Sequence, residues 1–569
     1  VNKASAGQTG QGFVRARDAE MAAIEKAGCG GDQTLRCQVI SFYRGGQFKL
    51  YKYRKYSDVR LTFAPEFQAA FFGGDPDNFN FPRYALDAAF LRLYENNQPV
   101  KTPAHLRWNP AEPKAGEPVF VAGNPGTTQR LLTNTQLATL RDLVYPYQQL
   151  QRSELRGRLI RFSEESAENR RIAVDPLFGV ENSFKAVNGQ HQALRDPAFF
   201  GREVQEEQDL RAKVAANPAL AREIGDPWKD IADVQDDFAE LWLPYWRVET
   251  GAGGGSLLFN YARQLVRAAQ ERAKPSGERL PEYADTRLPL LEQNLFDARP
   301  VDLPLEELYL QFWLEKSREY LTADAPQTRL LLGRESPQQL SDRLVQGSRL
   351  ADPAVRRRLY EGGLAAVQAS DDPMIRYALQ IDGEARKLRS AWEARVSGPT
   401  DRAAERLARA RFAVYGTSVY PDATFSLRLS YGKIDGWTYR GTTVPPFTYI
   451  GGLYERATGA EPFDLAPSWA AAQGRVNKQT VFNISSTNDI IGGNSGSPLI
   501  NARGEVIGAV FDGNIHSLGG TFGYEGETNR TVTVSTAAVT EALRTVYDQP
   551  QLLAELTGSP PRATRTRRR

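Results

Sequence analysis

At 569 residues, with 41% hydrophobic and 10% aromatic side chains, the chain is too long for one core and should fold as several domains. Lys+Arg 71 against Asp+Glu 68 leaves a formal +3, and five of the cations are arginines between Arg562 and Arg569. The body is therefore near neutral and gives no argument for nucleic acid, and no stretch approaches the ~20 apolar residues that a membrane span needs.

Residues 10 to 27 carry helical spacing, with Phe13, Ala19, Ala23 and Ile24 toward one side. Cys29 and Cys37 enclose GGDQTLR, a spacing that fits a local disulfide and an oxidising compartment. The alternative is a pair of reduced thiols in a cytosolic protein. No further ligand clusters nearby, so no metal is expected. The chain opens at Val1 without a signal peptide, so its natural N-terminus is expected upstream. Strand-like runs follow at Gln38–Tyr43, Phe48–Tyr53 and Val59–Phe63, with Gly45-Gly46 marking a hairpin between the first two. Short strands at this spacing point to a barrel or sandwich rather than a parallel sheet.

A polar, aromatic loop beginning at Phe71 then leads to Asp87 at the mouth of an apolar strand. An acid there is either a turn or cap residue, or a carboxylate that orients a catalytic histidine. Val119–Gly126 reads as a strand ending in a tight turn. From about 140 to 413 the chain turns helical, rich in Leu, Ala, Arg, Glu and Gln and broken at Pro275-Ser-Gly and Ser397-Gly-Pro. Strand signals return at Tyr420–Ser430, Lys433–Thr443, Val481–Ile484 and Arg530–Val534, and a helix at Ala537–Tyr547 closes the pattern.

Within this last block stands STNDIIGGNSGSP, followed by LINARGEVIGAVFDG. Ser495 lies between Gly493 and Gly496, where the backbone can turn tightly and approach a ligand. Behind it Leu499-Ile500 and Glu505–Phe511 read as a hairpin joined at Asn501–Gly504. Alone, the glycine cluster could be an ordinary turn. With the hairpin it matches the way a chymotrypsin-type peptidase presents its serine, the Gly493 and Ser495 amides forming an oxyanion hole. The α/β-hydrolase elbow fits poorly, because it needs glycine at Ser497 and a helix after it.

The blocks GGDPDNFNFPRYALDAAFLRLY, NPGTTQRL, YPDATFSLRLSYG, PPFTYIGGLYERA, STNDIIGGNSGSP and VFDGN closely resemble the bacterial exported dipeptidyl-peptidases. That family includes dipeptidyl aminopeptidase BII and dipeptidyl-peptidases 7 and 11, and this chain looks closer to the BII and 7 type. The resemblance implies a chymotrypsin-like double β-barrel with a helical cap. The expected domains are an N-terminal β-barrel part (1–140), an inserted helical domain (141–413), a C-terminal barrel with the nucleophile (414–555) and a basic disordered tail (556–569). It also implies a periplasmic or secreted homodimer without cofactor, acting on oligopeptides and releasing dipeptides from free N-termini. On that pattern Ser495 is the nucleophile and Asp87 the triad acid. Asn78 and Asp512 would bind the substrate's ammonium, Phe79 would line the amine end in place of an expected tryptophan, and Gly513 would sit at the pocket for the second residue. Asn182, in GVENSFKA, corresponds to a further amine-binding asparagine. Glycine at 513 offers no charge, so Phe, Leu, Tyr or Met is expected at the second position over Asp or Glu. Read without the resemblance, Asp512 is a hairpin-end residue.

The histidines are His105, His191 and His516, and none precedes Asp87. Chymotrypsin-type order places histidine before the acid and the acid before the serine. The expectation is a fragment of an active enzyme that lacks its base and is nearly inactive as written. The alternatives are a peptide-binding relative without catalysis and an endopeptidase of the same fold.

Overall fold

The computed structural model describes residues 1–416 and 418–558, so the arginine-rich tail from residue 559 lies outside the described residues. Two compact units are present, one made of 1–54, 133–180 and 203–420, the other of 55–132, 181–202 and 421–558. The divisions differ from those read in the sequence. Residues 1–54 pack with the helices rather than with the β-rich part, and residues 181–202 belong to the β-rich unit.

In the helical unit, start signals set the elements. Asn217, Asp226, Ser336, Asp352 and Asp372 each precede a proline and accept a hydrogen bond from a first-turn amide. Proline needs no amide partner at the first helical position, and the capping oxygen satisfies one of the orphan donors. The core gathers Leu258, Phe259, Leu310, Trp313, Leu344 and Met374, all fully buried. A charged layer runs beside it. Buried Glu249 accepts from Arg267 at 2.9 and 2.5 Å and from Arg263 at 2.7 Å. Arg267 also reaches Asp382 at 2.7 Å, and Asp382 takes Arg386, also at 2.7 Å. The helix Gly10–Cys29 packs on the hairpin of strands Leu35–Phe42 and Gln47–Arg54, and Cys29 is bonded to Cys37.

The β-rich unit holds an eight-stranded and a three-stranded sheet and a small hairpin. In the large sheet the order is Phe447–Tyr449, Val481–Ser486, Thr531–Ser535, Glu505–Gly513, Pro498–Asn501, Pro118–Gly123 and Arg428–Lys433, each antiparallel to the next. Arg107–Trp108 adds a parallel edge to Glu505–Gly513. One face buries Val119, Val121, Ile484, Leu499, Ile507 and Val510. Trp469, Phe482, Val534, Ala538 and Leu543 form a second core with the helix Thr536–Glu541.

The expected closed double barrel is not formed. A short contact ties the end of the last strand of the large sheet back to its second strand, through the Ile434–Ser486 bridge and the bonds of Thr487 N–H to Lys433 O at 2.9 Å and Asp435 N–H to Ser485 O at 3.2 Å. The sheet of Asp58–Phe63, Phe90–Glu95 and Gln98–Pro99 remains open and leaves Val59, Leu61 and Leu91 exposed. Three strands are too few to curl through a full turn. Asp87 does not open a strand either, since pairing begins at Phe90.

Candidate functional site

Every side chain singled out above at the nucleophile turn, the acid, the amine end and the second-residue pocket lies in the β-rich unit. The nucleophile turn is built by alternate use of its amides. Asn494 N–H donates to Ile491 O at 3.2 Å and Gly496 N–H to Val510 O at 2.7 Å. Alternating with them, the Gly493 and Ser495 amides bond no described group, and Ser495 is exposed with no partner for its hydroxyl among the described residues. Gly493 has φ 104°, and a Cβ there would come within 2.6 Å of Asn124 O. Only glycine fits, because both the backbone angle and the space exclude a side chain.

Val510 also donates to Ser497 O at 2.9 Å, so the strand Glu505–Gly513 backs the turn. Two residues further on, Asp512 is buried on the same strand. Its Oδ2 accepts the Phe79 amide at 2.9 Å and Arg83 Nη1 at 2.7 Å, while Oδ1 accepts the Gly513 amide at 2.8 Å. Burial pushes the Asp512 carboxyl up, and Arg83 with the two amides opposes that rise. Phe79 holds φ 60°, a left-handed turn that presents its amide to the carboxylate. Asn78 Nδ2 donates to Asn182 Oδ1 at 3.0 Å, so a residue of the helix Ala167–Arg195 joins the loop. Lys185, one turn further along, pairs with Asp75 at 2.9 Å and fixes the same loop.

Asp87 makes no hydrogen bond or ion pair among the described residues. The protein around it pushes its carboxyl up by desolvation, Arg83 pulls it down and Asp512 adds repulsion. The residue itself is exposed at the surface. Exposed His105 faces the Thr102 carbonyl at 3.2 Å and His516 packs on Tyr439 at 4.5 Å, so neither bonds Asp87 or Ser495. His191 is buried on the helix Ala167–Arg195.

Sequence reasoning missed Arg83 and Ser517. Arg83 was visible only as the arginine of FPRY, with nothing local to mark it as buried. Ser517 Oγ stands 2.3 Å from where a Cβ on Gly513 would be, so the space over Gly513 is occupied rather than open.

The peptidase S46 family matches residues 1–558. The chain belongs to that family. Among relatives, the Asp/Glu-specific dipeptidyl-peptidase of Shewanella putrefaciens is 28% identical over 548 residues, covering 86% of this chain and 73% of its own length. A dipeptidyl-peptidase 7 of Porphyromonas endodontalis is 25% identical over 581 residues, covering 92% of this chain and 66% of its own length. The crystal structure of Porphyromonas endodontalis DPP11 with the dipeptide Arg-Asp superposes at a TM-score of 0.77 and 19% identity, over 98% of this chain and 82% of that one. For this S46 peptidase, the last comparison establishes the fold. Among the described residues, no helix is long and apolar enough to cross a membrane and no acidic, histidine or cysteine cluster could hold a metal ion.

Proposed function

We propose that the protein is a serine exopeptidase that removes dipeptides from free N-termini. The observation that carries this reading is the spacing on one strand. Val510 supports the nucleophile turn, and the Asp512 backbone lies two residues on across a register shift, about 7 Å at strand rise. An extended dipeptide places its ammonium about 7 Å from its second carbonyl carbon. A substrate held at Asp512 thus brings that carbonyl, rather than a later one, to Ser495.

In this reading Ser495 Oγ attacks the second carbonyl and its proton passes to a base that Asp87 orients. The oxyanion forms opposite the unbonded Gly493 and Ser495 amides. The base returns that proton to the leaving amine as the shortened peptide departs, and the acyl-serine that remains is hydrolysed by water to the dipeptide and the free serine. The Cys29–Cys37 bond supports an exported location.

The test compares a fluorogenic dipeptidyl amide with its N-acetyl form on the full-length protein. Acetylation removes the charge that Asp512 pairs with, and kcat/KM should fall by about 100-fold. Equal cleavage of both would point to an endopeptidase. Tight binding without cleavage of either would point to a peptide-binding relative.

For the second residue of the dipeptide we expect an apolar side chain. Gly513 contributes no charge, and an unpaired substrate carboxylate would be costly to bury, whereas apolar area gains about 25 cal/mol per Å². A Leu substrate should exceed the matching Asp substrate by about tenfold or more in kcat/KM. Arginine at 513 should reverse this, but only with room for it, because Ser517 Oγ blocks the first carbon. The double variant G513R/S517A should therefore shift toward Asp more than G513R alone. A wild-type protein that favours Asp would show that other residues set the pocket.

A further inference from the structure

The loop from Asp75 to Asp87 carries four carboxyl or guanidinium groups besides those of the amine site, and most are already paired. Asp75 is held by Lys185 at 2.9 Å. Asp77 is buried against Arg456, whose Nε donates at 2.9 Å. Arg83 differs from these pairs in joining the loop to Asp512 on the strand that backs the nucleophile turn. It is one of the largest fully buried side chains, and one terminal nitrogen, Nη1, donates both to the Asp77 carbonyl and to Asp512 Oδ2, each at 2.7 Å. The guanidinium lies over the rings of Phe71 and Phe511, at 5.8 and 5.4 Å from their centroids. Both partners are buried, and Asp512 is the ion pair partner of this cation.

Building on the amine subsite proposed above, we infer that Arg83 is its positioning residue. It fastens the loop bearing Asn78 and Phe79 to the strand bearing Asp512, and it supplies the counter-charge that fits the Asp512 carboxylate for a peptide ammonium. The lone-pair count permits this. A carboxylate offers about four acceptor sites. Phe79 and Arg83 use Oδ2 and Gly513 uses one site of Oδ1, so Oδ1 retains a place for the incoming ammonium. Arg83 therefore assists rather than competes.

The charged groups facing Asp512 are Arg83 and, more distantly, the repelling Asp87. Without Arg83 the buried carboxyl would take up its proton at higher pH, since desolvation and Asp87 both favour the neutral form. A neutral acid cannot pair an ammonium. Binding of a free N-terminus should then be lost from the acid side at a higher pH than in wild type.

The experiment is calorimetric binding of Val-Leu and N-acetyl-Val-Leu between about pH 5 and 7, a range below most of the ammonium titration. Wild type should bind the free dipeptide about 100-fold tighter than the acetylated one. R83Q should bind the free form about tenfold more weakly at neutral pH, with the acid limb moved up by about one unit, and the acetylated form unchanged. R83K keeps the charge but not the planar fork, so it should lose about threefold while retaining the wild-type limb. In a D512N background R83Q should add no further loss for the free dipeptide, a coupling that a purely structural role would not produce. If R83Q fails to melt like wild type, R83K against D512N/R83K carries the same comparison. Tighter free-dipeptide binding by R83Q, an unmoved limb, or additive losses with D512N would overturn the inference while leaving the amine subsite intact. Equal wild-type affinity for free and acetylated dipeptide would remove both.

Discussion

In a form of the protein that supplies the triad histidine, Ser495→Ala is expected to reduce kcat on a dipeptidyl amide by about 10⁴-fold or more, the range seen when a serine nucleophile is removed. The alanine keeps the turn, because its backbone bonds run through Asn494 and Gly496 rather than through the serine side chain. Binding of a free dipeptide should persist, since Asp512, Asn78 and Asn182 are untouched. A companion substitution separates the nucleophile from its surroundings. Gly493→Ala would place a Cβ against Asn124 O and force the turn open, so it should lower kcat by displacing the oxyanion amides while KM changes less. Rates are read by initial velocity and affinity by calorimetry on the same preparations. Retention of more than about a tenth of the wild-type rate in Ser495→Ala would assign the attack to another group.

Glu249→Ala should produce the largest loss of stability. The substitution leaves Arg263 without a carboxylate and Arg267 with Asp382 alone, in a layer from which water is excluded. Breaking a buried pair in this way costs about 3–5 kcal/mol, because the remaining cations keep their desolvation penalty. The unfolding transition of the helical unit should move down by something on the order of 5–10 °C in calorimetry. Glu249→Gln, which keeps hydrogen-bond acceptance but not charge, should lose less. Arg395→Ala is the control: its pairs with Asp237 and Glu240 lie in solvent, so the transition should stay in place. An unshifted transition in Glu249→Ala would mean that Arg263 and Arg267 find other acceptors.

Much of the scaffold was legible locally. Asp-Pro and Ser-Pro pairs mark helix starts whose capping bonds are present, at Asp226, Ser336, Asp352 and Asp372. Asn501–Gly504 turns between the strands Pro498–Asn501 and Glu505–Gly513, as its composition requires. The segment Tyr420–Ser430 misled, because apart from an isolated bridge between Thr424 and Thr127 its strand starts only at Arg428. Tertiary bonds override its strand propensity: Asp422 accepts Thr128 Oγ1 at 2.8 Å and the Arg130 amide at 2.9 Å, and Phe425 adopts φ 59°.

At the candidate site the same division holds. Sequence alone determined that residue 493 must be glycine beside a turn serine, since φ preference and close approach are properties of one residue and its neighbours. It could also place an acid at 512 on a hairpin strand. Only the tertiary structure decided which groups that acid meets. Phe79 and Arg83 reach Asp512 across 433 and 429 residues, and no local periodicity records such a pairing. Burial then fixes the chemistry: a carboxylate removed from water persists as a charge only beside a cation, and here packing of Phe71 and Phe511 around Arg83 supplies one.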